Sequence, residues 1–457
     1  MNLSMVENQI DREVTKKLAL YSFWEFCEWM DNEFFDKNKR PYLYDIAEIY
    51  QSIKEGKLKK VSISIWPRSG KSYITSLFCA WMLGLNPSGS IMRNSYSELL
   101  AYKFSYDVRN IVISDRFKDV FPNVQLSDNK GAVTGWNLKT AKQVSYFCAG
   151  VGGSITGFGC NLLAILDDPV KNIEEAMSET VLEKKWDWFT STHNSRLESD
   201  CPEIHIATRW SKGDIIGRLR EKKYFDRSID LPALVNGKSS CEESISTERL
   251  LKIKSLTTDA IFEAEYQQSP IEVSGTLFPP DQLKWFDISE LPPNPSGIVA
   301  VCDIADEGDD DLSFPVGYVY GSDVYIVDVV FTKEPVEVTE VQVAGSIIKN
   351  KIQRALFESN AGGKLYAMNI GKRIYGSSQC SIEWKPSTTN KETRIFVRSG
   401  QVKRDFHFRK DTGRSEQYDR FIAGFISYII GKSKHDDAPD SITLMSEMLE
   451  TVNNYWA

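Results

Sequence analysis

The sequence has no CxxC pair, and its eight cysteines are scattered along the chain. Its four histidines are scattered too, so no Cys/His zinc framework is present. This is the pattern of a reduced cytosolic protein and not of a disulfide-stapled secreted one. Long apolar runs are also lacking. The longest, Ser76–Leu85 and Phe421–Ile430, reach about half a membrane span. Residues 1–18 carry acids and amides and contain no apolar core of a secretory signal. The reading is therefore of a soluble protein, active in the cytoplasm and not in a membrane. No repeat period and no long low-complexity tract is visible. An excess of basic charge is missing as well: the net charge is -8. That argues against a generic polycation coating nucleic acid, but a local basic groove remains open because net charge does not fix its distribution.

What is present is globular. Hydrophobic residues make up 42% and charged residues 26%, close to the globular average, so wholesale disorder is excluded. The 457 residues predict two or three domains with cores large enough to need no staples. The sharpest break is the proline-dense stretch from Ser269 to Gly297, which cannot continue a helix or a central strand. It divides the chain into a first domain over 1–275, with a small lid at about 220–275, and a second over 276–457.

Before the join, strand-like runs at Val61–Ile65, Ile91–Asn94, Val144–Ala149, Leu162–Leu166 and Ile204–Ala207 alternate with helical patterns such as Ser72–Leu85. That alternation predicts βαβ units and a mostly parallel sheet. After it, Ile298–Cys302, Pro315–Tyr320 and Asp323–Val330 read as successive antiparallel strands, followed by a helix, the strand Arg354–Glu358 and a last helix at about Ala438–Val452. This order suits an α/β nuclease-type sheet.

Between the first strand and its helix lies Trp66-Pro67-Arg68-Ser69-Gly70-Lys71-Ser72. Backbone N–H groups at such a helix start cradle phosphate oxygens, and the helix dipole favours their charge. Lys71 would reach the β and γ phosphates and Ser72 would bind Mg²⁺. The position where the usual pattern has its first glycine is Ile65, so the motif is degenerate, and the plain alternative is a turn that only starts a helix. The run Leu162–Leu166 ends in Asp167-Asp168. An apolar strand delivering two acids suits a metal-side carboxylate, Asp167, and a base that orients water, Asp168. The glycine-rich stretch Gly150–Gly159 precedes it, either as a flexible connection or as a backbone contact to a polyanion.

In the second domain, Asp303 follows an apolar strand, Glu358 ends another, and His435-Asp436-Asp437-Ala438-Pro439-Asp440 opens the last helix. Asp437 and Asp440, three apart, share a helix face, whereas Asp436 is a cap or an outer neighbour. Hard carboxylate oxygens suit Mg²⁺ or Mn²⁺, and two such ions activate water and stabilise the leaving oxygen in phosphodiester cleavage. Asp309–Asp311 reads as an acidic surface loop, and Val402–Lys410, with interleaved bases and aromatics, as an exposed strand.

Taken in order, these stretches resemble the large terminase subunit of tailed bacteriophages. Pro67–Ser72 is similar to that family's variant P-loop. Ser95-Tyr96-Ser97 with Phe104-Ser105 and Val108-Arg109 resembles the segment after its second strand, and Gly150–Pro169 its glycine-rich loop and Walker B strand. Thr208-Arg209-Trp210 through Leu219 resembles its coupling motif, and Ala264–Pro270 its domain-end signature. Asp303, Glu358 and the His-Asp-Asp-x-x-Asp run resemble its RNase H-like nuclease. Residues 370–435 match nothing.

The resemblance implies a P-loop NTPase domain followed by an RNase H-like α/β nuclease domain. It implies that Thr208 senses the γ-phosphate, that Arg68 contacts phosphate with Ser69, Gly70, Lys71 and Ser72, and that Arg40–Asp45 lies near adenine. Arg68, Arg93 and Arg209 are the candidates for an arginine acting in trans. The implied ligands are ATP with Mg²⁺ in the first domain, held by Ser72 and Asp167. In the second they are two Mg²⁺ or Mn²⁺, held by Asp303, Glu358, Asp437 and Asp440. The implied partners are double-stranded DNA, a portal protein and a small terminase subunit, with a monomer in isolation becoming a ring on the portal of a procapsid. The implied activity is ATP-driven DNA translocation with cutting of concatemeric DNA. The alternatives are a helicase-like translocase with an inactive second domain, and a non-enzymatic assembly protein.

Overall fold

The computed structural model describes residues 13–127, 132–155, 157–198, 200–270, 276–304, 310–360, 362–387, 390–410, 413–433 and 435–453. The chain divides into two compact units, Met1–Glu272 and Val273–Ala457.

The first unit is built on a seven-stranded sheet of order β3-β4-β2-β5-β6-β1-β7. Its strands are β1 (Lys60–Ile65), β2 (Ile91–Ser95), β3 (Gly135–Trp136), β4 (Tyr146–Gly150), β5 (Leu163–Asp167), β6 (Glu203–Ala207) and β7 (Arg227–Leu231). All neighbours are parallel except β3, which pairs antiparallel with β4. The main helices are α1 (Phe23–Met30), α2 (Pro41–Lys54), α3 (Lys71–Leu85), α4 (Glu98–Ile113), α5 (Glu179–Trp188), α6 (Ile215–Glu221), α7 (Thr247–Leu256) and α8 (Asp259–Glu265). A short hairpin, β8 (Leu234–Val235) and β9 (Lys238–Ser239), lies before α7.

Residues 61–65 of β1 and all of β2, β4, β5 and β6 are buried, as parallel strands covered on both faces must be. Every residue of α3 from Ile74 to Gly84 is buried too. A helix apolar on all sides is a core helix, which explains why this run is the most hydrophobic of the sequence. Its contacts include Phe78 against Phe23 and Tyr50, with ring centroids at 5.0 and 4.7 Å. Residues 227–231, which fall within the expected lid, form β7 and pair with β1 at the sheet edge.

The second unit carries another seven-stranded sheet, β10-β16-β13-β12-β11-β14-β15. Its strands are β10 (Lys284–Phe286), β11 (Gly297–Cys302), β12 (Leu312–Tyr320), β13 (Asp323–Thr332), β14 (Arg354–Glu358), β15 (Ser381–Lys385) and β16 (Phe406–Arg409). The three strands β11, β12 and β13 are antiparallel, and β14 returns parallel to β11. Pro315 sits inside β12, where proline has no N–H to donate. The register with β11 runs only as far as Val316, and pairing resumes as a bridge between Asp303 and Ser313.

Helices α9 (Val336–Lys349) and α10 (Gly363–Ile374) pack on each other. Helices α11 (Lys391–Asp405), α12 (Glu416–Ser427) and α13 (Asp437–Asn453) form a second group. The segment expected to be an exposed strand is neither wholly strand nor exposed. Residues up to Asp405 end α11, and β16 lies inside the sheet between β10 and β13. Phe406 and Phe408 are buried, Phe408 against Phe425 at 4.9 Å, so the aromatics face the core while His407 and Arg409 alternate with them.

Candidate functional site

In the first unit, β1 and β5 are separated by β6, so the loop after β1, the acids at the end of β5 and Thr208 after β6 open side by side. The loop turns through Arg68 at φ 61° and Gly70 at φ 89°. A Cβ at residue 70 would lie 2.6 Å from the Phe34 ring, so this turn needs glycine for both reasons. The Tyr42 hydroxyl donates to the Ser69 carbonyl at 2.6 Å and holds the loop from α2. Lys71 Nζ donates to Thr208 Oγ1 at 2.7 Å, across 137 residues, and lies 3.1 Å from Asp168 Oδ1. The same Asp168 oxygen accepts the Thr208 N–H at 2.8 Å. Ser72 Oγ lies 3.3 Å from Asp167 Oδ1. Asp168 is left-handed at φ 46° although it is not glycine. Such strain is found where a site dictates side-chain direction.

Lys71, Ser72, Asp168 and Thr208 line a cleft of about 400 Å³ with Arg68, Gly70, Tyr96, Phe104, Trp210 and Glu265 among its walls. Ser69 Oγ, in the same loop, is buried without a hydrogen-bond partner. A glycine-containing loop at a helix start, an ammonium, a hydroxyl beside a carboxylate and a buried unsatisfied hydroxyl fit a nucleotide phosphate with a hard cation. Glu265 was not anticipated as a wall residue; burial pushes its carboxyl up, with Lys71 opposing. Arg40 stands over the Phe34 ring at 4.5 Å as α2 begins.

Two candidates for an arginine acting in trans are held within their own unit. Arg93 is fully buried and bonded to Asp167, and Arg209 is buried with Nε 3.0 Å from Asp214 Oδ2. Arg68 is exposed at the cleft. The motif after Thr208 is tightly packed. A Cβ at Gly217 would fall 2.0 Å from the Lys212 carbonyl oxygen. Gly217→Ala is therefore expected to destabilise the unit by about 3 kcal/mol, the upper end of overpacking costs, read as a lower urea midpoint with an unchanged m-value. Within the glycine-rich stretch, Gly150 closely approaches Ser97 and Glu98 at the start of α4, and the Gly153 carbonyl accepts from Trp188 Nε1 at 2.9 Å. Thr156 lies outside the described residues.

In the second unit, Asp303, Glu358 and Asp440 converge, with one oxygen of each within 4.8 Å of the others, and all three are buried. Asp437 belongs to a neighbouring group with Asp310 and His435 within the same distance, so the expected set of four is split between two groups. Asp437 Oδ2 also accepts the Asp311 N–H at 3.1 Å. The expected surface loop at 309–311 is thus partly structural: Asp311 is buried and its carboxylate is 2.7 Å from Arg420. Residues 306–309 lie outside the described residues. Asp436 sits 3.8 Å from Lys391 Nζ.

Two cations that the sequence reading missed stand among these acids. Lys391 Nζ is 3.3 Å from both Asp303 Oδ2 and Asp440 Oδ2, and Arg394 pairs with Asp440 and, at 3.5 Å, with Glu358. Their only signal was a Lys-x-x-Arg spacing at a helix start, where both side chains fall on one face. Glu358 Oε2 and Asp440 Oδ2 are buried and have ion pairs but no hydrogen bond. An all-carboxylate set with unsatisfied oxygens fits Mg²⁺ or Mn²⁺.

Burial pushes the Asp303 carboxyl well up, and the Asp440 charge adds to it. Burial likewise pushes Asp437 up to about 6, opposed by the Asp311 N–H. A raised acid holds its proton more tightly when folded. The metal-free unit therefore loses stability as pH rises from the ordinary carboxylate range through about 6. Metal must displace that proton, so Mn²⁺ affinity is expected to fall steeply as pH drops below about 6. Calorimetric Mn²⁺ titrations at several pH values check this; an affinity flat across that range would contradict it.

Residues 302–402 match the family model described as "Terminase Bacteriophage T7, Ribonuclease H-like domain". The second unit carries a terminase RNase H-like domain. The match spans Asp303 and Glu358 of the triad together with Lys391 and Arg394. The sheet order β13-β12-β11-β14-β15 places Asp303 and Glu358 at the ends of the adjacent strands β11 and β14. Before it stands the mostly parallel sheet with its Gly-Lys-Ser loop, the order that the sequence resemblance implies.

Solved structures similar to it include a large terminase from a thermophilic bacteriophage in complex with ATP-gamma-S. That match has 11% identity and a TM-score of 0.43, and covers 87% of this chain and 96% of that one. The human cytomegalovirus terminase nuclease domain, Mn soaked and inhibitor bound, matches at 10% identity and TM-score 0.31, over 38% of this chain and 94% of that one. The nuclease domain of the large terminase subunit of bacterial virus Sf6 matches at 9% identity and TM-score 0.26, over 33% and 87%. No curated protein matches the sequence.

Proposed function

We propose that the chain is a DNA-packaging motor that also cuts DNA. ATP hydrolysis in the first unit drives double-stranded DNA through a portal into a capsid, and the second unit cleaves concatemeric DNA. One observation carries the reading: a single chain bears both a Gly-Lys-Ser loop in contact with the acids ending β5 and, after a proline-dense join, a buried carboxylate triad two of whose members lie in the segment that matches a terminase RNase H-like domain.

In the first unit, Lys71 releases Asp168 and Thr208 to reach the β and γ phosphates. Ser72 and Asp167 hold Mg²⁺ with Arg68, Ser69 and Gly70 around the phosphates. Asp168, freed from Lys71, orients and deprotonates the attacking water, and Thr208 registers loss of the γ-phosphate. In the second unit, Asp303, Glu358 and Asp440 would hold one divalent ion, and Asp437 with its neighbours a second. The ions supply water activation and leaving-group stabilisation. Lys391, 3.3 Å from both Asp303 and Asp440, would have to yield those oxygens to a metal. The same reading places the protein in the host cytoplasm, as a monomer that joins a ring on the portal, with a small terminase subunit presenting DNA. Binding of DNA by the isolated subunit is weak and salt-sensitive, given the acidic chain.

A second reading, a translocase with an inactive nuclease domain, is favoured by the place of Lys391 between two of the three acids. Plasmid cleavage with Mn²⁺ separates the two. Cutting by the full chain supports the first reading, and its absence over a wide metal range supports the second.

A further inference from the structure

Arg93 is a fully buried arginine in the central strand β2, and its burial takes it out of reach of a neighbouring subunit. Its Nε donates to Asp167 Oδ2 at 3.1 Å, and one terminal nitrogen also bonds that oxygen. The other terminal nitrogen donates to Ser76 Oγ at 2.8 Å, and the first also reaches the Ser72 carbonyl at 3.1 Å. The guanidinium lies 3.9 Å from the centre of the Phe104 ring, itself a wall of the cleft. The two oxygens of Asp167 are thereby divided. Oδ2 is taken by Arg93, while Oδ1 faces Ser72 Oγ at 3.3 Å.

We propose that Arg93 is the positioning residue of the nucleotide-associated metal site. It fixes Asp167 so that Oδ1 alone is presented to the cation beside Ser72, and it ties the first turn of α3 to β5. The planar fork can hold a carboxylate oxygen, a hydroxyl and a carbonyl at once; a lysine ammonium has no such fork and cannot reproduce that geometry. A buried arginine without a partner is costly, so the bonding of all three of its nitrogens here marks a specific contact and not an accident of packing. The proposal rests on the ATPase reading of the first unit.

The test reads metal affinity without turnover. Mn²⁺ is titrated by electron paramagnetic resonance into the full chain with saturating ADP, for the parent, Arg93→Lys and Ser76→Ala. ADP binding in EDTA is measured in parallel. Arg93→Lys is expected to weaken Mn²⁺ binding tenfold or more, and Ser76→Ala, which removes one acceptor and keeps the arginine, two- to threefold. ADP binding in EDTA stays within twofold for both. Unchanged Mn²⁺ affinity in Ser76→Ala and in any folded Arg93→Lys would overturn the proposal, even if both melt at lower temperature. A parent that binds neither ADP nor Mn²⁺–ADP would instead overturn the ATPase reading.

Discussion

Lys71→Ala is expected to lower ATP hydrolysis by the full chain about a thousandfold while metal-dependent plasmid cleavage stays within about twofold. The size follows from what Lys71 does in the cleft. Its ammonium touches Asp168 and Thr208 together, at 3.1 and 2.7 Å. Alanine also leaves Asp168 without its counter-charge, so the variant protein is expected to keep its fold but show a local change in stability. Colorimetric phosphate release measures the loss. A variant that hydrolyses ATP at the parent rate would remove the P-loop assignment.

Asp303→Asn is expected to reduce Mn²⁺-dependent cleavage a thousandfold or more, with ATP hydrolysis unaffected. Asparagine keeps the shape of the side chain and the reciprocal backbone bonds with Ser313, both 3.0 Å, so the strand end is preserved. What is lost is an anionic ligand in a site of three acids. The loss also weakens the hold on Lys391, whose grip on its proton burial lowers but Asp303 and Asp440 together raise above the ordinary value. Gel-based cleavage over a range of Mn²⁺ reads the outcome. Full activity would show that the triad is not the cutting centre.

The first-unit strands were legible because fully buried β-branched runs are bounded by turns, and the α3 run because it is apolar all round. The Walker-like acids were legible for the same reason: a buried strand that ends in Asp-Asp announces where its charges emerge. Arg93 shows the limit. A sequence marks charge but not burial, and an arginine inside a strand reads as surface or trans-acting until its partner, 74 residues away, is seen to be Asp167. The second unit was legible as far as β14. Beyond it, β15 has no buried residue, and β16 is four residues whose basic members hide its core aromatics. Lys391 and Arg394 were invisible for a different reason: their meaning lies in acids 88 and 46 residues away, a relation with no local periodicity. The split of Asp437 from Asp440 was equally hidden. Three residues apart they share a helix face, but the first turn of α13 meets β14 on one side and the 310–311 segment on the other.

The central claim, two independent chemistries on one chain, is tested most directly on one preparation assayed for both. Parent, Lys71→Ala and Asp303→Asn proteins are measured side by side for phosphate release and for Mn²⁺-dependent plasmid cleavage. The account predicts that the parent does both, that Lys71→Ala cuts but does not hydrolyse ATP, and that Asp303→Asn hydrolyses ATP but does not cut. Both activities persisting in both variants, or either variant losing the activity of the other unit, would contradict it.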